Sequence, residues 1–88
     1  MLKYATNRPY ADPEAAARKL LEIANATEAV QDGRIYIESI NGQFLFKGGG
    51  TPEEYSAGLA CAVAKGWLLK HESGTYVKFT PVGAEMFA

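Results

Sequence analysis

One cysteine and one histidine, Cys61 and His71, are the only side chains in this 88-residue chain that could pair a thiol nucleophile with an imidazole base. A thiol becomes reactive when a helix N-terminus or a neighbouring cation lowers its pKa. Cys61 instead falls in the middle of a small, apolar run that includes Ala57, Gly58, Ala60 and Ala64, the setting of a buried small hydrophobe. His71 precedes Glu72-Ser73-Gly74 and reads as a solvated side chain at a hairpin tip. One His and one Cys fall short of the three or four ligands a metal ion takes, so neither a metal nor a cofactor is expected.

Three further groups carry chemistry of a weaker kind. Gly48-Gly49-Gly50-Thr51 precedes a helix start, where anions can bind. It lacks the lysine of a phosphate-binding loop, and Glu53 and Glu54 would repel an anion there, so a flexible joint is the plainer reading. The two glutamates serve as a helix cap before they serve as an acid–base pair. Lys70, Tyr76 and Lys78 form the third group: lysines around an aromatic can meet phosphates or stack a base, although lysines on an edge strand also guard against aggregation. Arg34 and Lys47 would extend that patch if two hairpins lie side by side.

Composition narrows the partners. Nine Lys and Arg against ten Asp and Glu leave a net charge of −1, with no run of either sign. A dedicated nucleic-acid binder draws most of its affinity from a basic surface, and the overall balance here supplies none. The hydrophobic share of 48% supports one globular core rather than a disordered tail, and the chain is too short for two. No apolar run is long enough to span a membrane, Met1-Leu2-Lys3-Tyr4 does not open a signal peptide, and a lone cysteine allows no internal disulfide. These features together predict a cytoplasmic protein. A core this small also leaves room for a homodimer that shares apolar surface.

The elements that must position these residues follow from the pattern. Residues 1–11 read as an N-terminal arm and residues 12–88 as one domain. Asp12-Pro13 caps a first helix to about Ala29, with Ala16, Ala17, Leu20, Ile23, Ala24 and Thr27 as its apolar stripe. Asn41-Gly42 predicts a two-residue hairpin turn between strands 35–40 and 43–47, placing Ile35, Ile37, Phe44 and Phe46 on one face. Thr51-Pro52-Glu53-Glu54 caps a second helix to about Lys65, ended by Gly66. Its face of small residues suits close approach by the first helix. A second hairpin runs from Trp67 to Phe79. A two-residue Ser73-Gly74 turn would oppose Leu69 to Lys78. The favoured three-residue loop opposes Leu69 to Val77, giving an inner face of Trp67, Leu69, Val77 and Phe79. Thr80-Pro81 opens a last helical turn that returns Val82, Met86 and Phe87 to the core.

The capped helix, Lys65-Gly66-Trp67-Leu68 leading into a strand, the Ser73-Gly74 tip and Thr80-Pro81-Val82-Gly83-Ala84-Glu85 resemble the second half of a winged-helix domain of MarR- or PadR-like regulators. The resemblance runs from Thr51 to Phe87. It implies that the helix from Pro52 to Lys65 stands where such domains carry a recognition helix, with residues 70–78 as the wing and DNA as ligand. The Asn41-Gly42 hairpin would then occupy the place of the preceding helix. The helix itself offers Glu53, Glu54, Ser56, Ala57, Gly58 and Ala60, where base readers carry Arg, Lys, Asn or Gln. The resulting expectation is an α+β, winged-helix-like fold of two main helices, two β-hairpins and a short C-terminal helical turn. Its expected work is non-catalytic binding of a protein partner or of itself. A DNA-binding regulator acting through Lys70, Tyr76 and Lys78 is the alternative.

Overall fold

The structure is a computed structural model and describes residues 9–27, 29 and 33–87. The fold is α+β, as the sequence predicts. Helix α1 spans Pro13–Ala26, strand β1 Ile35–Tyr36, helix α2 Ile37–Gly42, helix α3 Pro52–Ala64, strand β2 Leu68–Lys70, strand β3 Tyr76–Phe79 and helix α4 Pro81–Glu85. The strands form one antiparallel sheet in the order β1-β3-β2.

Helix α1 begins as its cap dictates: the Asp12 side chain accepts the Glu14 N–H at 3.1 Å and Pro13 fills the first helical position. Its stripe of Ala16, Ala17, Leu20, Ile23 and Ala24 is buried, with Leu21 beside it. Helix α3 starts with a reciprocal capping box, in which Glu54 N–H donates to Thr51 Oγ1 at 3.1 Å and Thr51 N–H to Glu54 Oε1 at 3.0 Å. Of the face of small residues, Gly58 brings the two helices together, whereas Ala57, Ala60 and Ala64 are exposed. A Cβ built on Gly58 would stand 2.7 Å from the Ala16 Cβ, so only glycine allows this separation.

The largest difference from the sequence reading lies at Asn41-Gly42. Residues 37–47 form no hairpin; α2 runs through Gly42, whose φ of −59° and ψ of −44° are helical, into a π-helical turn over Gln43–Lys47. Two periodicities coexist in this segment, and the helical one wins because it buries more. Ile40 and Phe44, four residues apart, are both at 0% exposure, whereas Phe46, assigned inward by the strand pattern, is 87% exposed. Gln43 anchors the turn by donating through Nε2 to Thr27 Oγ1 at 3.0 Å, at the end of α1. The described residues therefore hold three main helices and one hairpin rather than two of each, with β1 paired directly to β3.

The remaining hairpin takes the register that had been passed over. Leu68 opposes Phe79, Leu69 opposes Lys78 and Lys70 opposes Val77. His71 N–H donates to the Tyr76 carbonyl and Gly74 N–H to the His71 carbonyl, so residues 72–75 form the loop, with Gly74 at φ +76°. A shift of one residue exchanges the two faces of a strand. Leu68 is thus buried at 2% and Leu69 is exposed at 62%. Trp67 needs no place on the inner strand face: it lies ahead of β2, with Arg18 and Lys65 over its ring at 5.2 and 5.5 Å.

Two smaller expectations also change. Gly48-Gly49-Gly50 is no loose joint but a close wrap around the Phe44 ring. Gly49 has φ +76°, and a Cβ on Gly50 would lie 2.0 Å from that ring. Helix α4 does start at Thr80, whose hydroxyl donates to the Gly66 carbonyl and accepts the Gly83 N–H at 2.9 Å. Yet Val82, Met86 and Phe87 remain exposed, and Gly83 is the residue that packs, against the Trp67 backbone.

One core cluster unites α1, β1, α2, α3 and the sheet. Of the arm, residues 1–8 lie outside the described residues. Pro9–Ala11 forms a single 3-10 turn, and Tyr10 brings its ring to 5.2 Å from Phe44.

Candidate functional site

Helix α3 carries no charged residue from Tyr55 to Ala64, yet only one side of it is buried. Gly58, Leu59 and Ala62 turn inward, while Ser56, Ala57, Ala60, Val63 and Ala64 are exposed. Between this outer face and the hairpin runs a groove of about 470 Å³. Tyr55, Leu59 and Val63 line it from α3, Ile37 from the start of α2, and Lys70 and Gly74 from the hairpin. Among the described residues Lys70 is the only charged side chain on its walls. Glu53 stands outside, exposed at the first turn of α3.

Tyr55 connects the groove to the core. Its ring lies 6.1 Å from Phe44, and its hydroxyl is buried without a hydrogen-bond partner among the described residues. Burial pushes this phenol above its ordinary pKa of 10.0, because the charged form would lose its hydration. The role of Tyr55, Leu59 and Val63 in walling a groove depends on the position of the hairpin, which its observed register sets.

The three residues of the wing patch do not share one side of the sheet. Lys70 opposes Val77, so it belongs to the face that looks toward the groove, whereas Tyr76 and Lys78 point the other way. Tyr76 faces Tyr36 across the ladder and stacks on His71 at 4.6 Å, and Arg34 lies 4.8 Å from its ring centre. Lys78 borders a second hollow, of about 430 Å³, with Asn25, Thr27 and Phe79. Lys47, the other suggested extension, lies on the π-helical turn beside Lys19 and Glu22.

Cys61 is half-buried and packs against the core from the middle of α3. His71 Nδ1 accepts the Ser73 N–H at 3.1 Å and lies 2.8 Å from Ser73 Oγ, holding the loop closed. Among the described residues no group of three or more His, Cys, Asp or Glu could hold a metal ion. No described helix is long and apolar enough to cross a membrane.

A charged cluster on α1 completes the surface. Glu14 accepts Arg18 Nη2 at 3.0 Å and lies 3.4 Å from Lys65 Nζ. The hydrogen bond from Arg18, followed by that from Lys65, holds its carboxyl below the usual glutamate range. Arg18 and Lys65 are the cations that lie over Trp67, so this cluster covers the core rather than opening a site. No protein-family model matches the chain, and neither a curated protein nor a solved structure matches it.

Proposed function

We propose that the chain is a non-catalytic, winged-helix-like module that binds another protein through the outer face of α3 and the groove beside it. The observation that carries this reading is the chemistry of the groove: apolar walls from Ile37, Tyr55, Leu59 and Val63, with Lys70 as the single cation. Such a surface gains by being covered, and its low charge density fits protein rather than phosphate. The chain order supports the architectural part, since α2 directly precedes α3 and a β-hairpin follows it, with β1 pairing at the far side of β3.

The alternative is a DNA-binding regulator that meets phosphates through the hairpin. It would have to work with Tyr76 and Lys78 on one face and Lys70 on the other, beside a helix that opens with Glu53. An amide NMR titration with a mixed-sequence duplex separates the two, at low and at physiological salt. The protein-binding reading expects no salt-sensitive shifts over residues 70–78. Shifts there that grow as salt is lowered would replace it with the regulator.

A further inference from the structure

We infer that the protein received in the α3 groove is a second copy of this chain, with two α3 helices packed antiparallel about a two-fold axis close to Ala60. The inference rests on the protein-binding reading above and names its partner.

An isologous interface must be complementary to itself. The exposed side of α3 meets that demand in shape. Ala57, Ala60 and Ala64 follow Glu53 at spacings of four, three and four along one face, and all are exposed. Alanines let two helix backbones approach closely. Leu59, Val63 and Tyr55 then form the apolar wall against which the partner helix rests.

Charge chooses the orientation. Among the described residues, Glu53 at the N-terminal turn is the only exposed carboxylate of α3, and Lys70 is the only cation lining the groove. Neither has an ion-pair partner among the described residues. The chain leaves the C-terminal end of α3 through Gly66 directly into β2 and Lys70. Antiparallel pairing carries each Glu53 toward the partner end from which Lys70 emerges, and symmetry makes that contact twice. It also sets the two helix dipoles head to tail. Parallel pairing would bring the two Glu53 side chains together.

The expected dimer is weak. A standard stable interface uses about 20–30 residues a side, and the groove is lined by far fewer. Sedimentation velocity over about 10–500 μM brackets the affinity such a small interface gives. The weight-average mass should climb from monomer to dimer and stop there. Ala60→Lys places like charges at the axis and should weaken association at least about tenfold, and since Ala60 is exposed the fold should survive, as a far-ultraviolet spectrum verifies. Glu53→Lys and Lys70→Glu should each weaken it, and the double exchange should restore it. A chain that stays monomeric throughout, a mass that climbs past dimer, or a dimer indifferent to Ala60→Lys overturns the inference. A monomer that also ignores duplex DNA leaves the protein-binding reading standing with a different partner, whereas DNA shifts over residues 70–78 overturn that reading itself.

Discussion

At the scale of single residues, Tyr55 holds a buried hydroxyl with no hydrogen-bond partner among the described residues. A hydroxyl taken out of water without a partner costs about 1–3 kcal/mol. Tyr55→Phe removes that cost and keeps the ring against Phe44, so it should leave stability unchanged or raise it by about 1 kcal/mol, read from urea midpoints. The same change should alter the alkaline limb. The folded-state pKa of Tyr55 lies above the unfolded value, so its contribution is intact below pH 10.0 and is lost as pH rises through the folded value. The variant should therefore lose stability less steeply than the parent in that range. His71 and Tyr76 show a different economy of contact. Their stacked rings and the bonds to Ser73 use side chains that could have met a ligand to fix the hairpin loop instead.

At the scale of elements, the contact between α1 and α3 reverses an ordinary rule. Replacing a helical glycine by alanine usually stabilises by about 1 kcal/mol, through propensity alone. At Gly58 the added Cβ meets Ala16, so Gly58→Ala should instead destabilise by about 1–3 kcal/mol, as thermal unfolding would show. The helix starts were legible in the sequence for a related reason, since Asp12-Pro13, Thr51-Pro52 and Thr80-Pro81 each act through bonds made within three residues, whereas the first helix stops at Ala26 rather than near Ala29. The α1 stripe was legible too, because a single periodicity fits it. Residues 35–47 were not. Alternation runs through Ile35, Ile37, Phe44 and Phe46, helical spacing through Ile37, Ile40 and Phe44, and the local turn preference of Asn41-Gly42 favoured the wrong one. What decides between them is the surface of α1 and α3 around Ile40 and Phe44, a long-range effect absent from any local pattern. The hairpin register failed similarly. Trp67 was placed on the strand to bury it, whereas the helices and two cations bury it from outside the ladder. The groove followed that error, since Lys70 reaches it only in the observed register.

At the scale of the whole molecule, the stability margin is narrow. A chain of 88 residues folds with about 4–13 kcal/mol at typical values per residue. Phe44 lies at 0% exposure where α2, α3, the glycine wrap and the Tyr10 turn converge. Phe44→Ala should cost about 3–5 kcal/mol, a large share of that margin, and the urea midpoint read by circular dichroism should fall accordingly. The near-balance of charge has its own bearing. With a pI near 5.8, long-range attraction to a polyanion is weak, and any specificity must come from close surfaces such as the α3 groove.

The π-helical turn has a bearing on how the chain tolerates changes in length. Gly48 N–H reaches back five residues to the Gln43 carbonyl at 2.9 Å, one residue further than an α-helix requires. The segment therefore holds one residue in excess of a regular helix, and exposed Phe46 is its most dispensable member. A single-residue deletion there can be absorbed by reverting to α-helical spacing, with Phe44 and Gly50 still in contact. The same deletion between Ile35 and Ile40 would rotate every apolar side chain after it off the core. Variation in length among chains built on this plan is thus expected to fall at this turn.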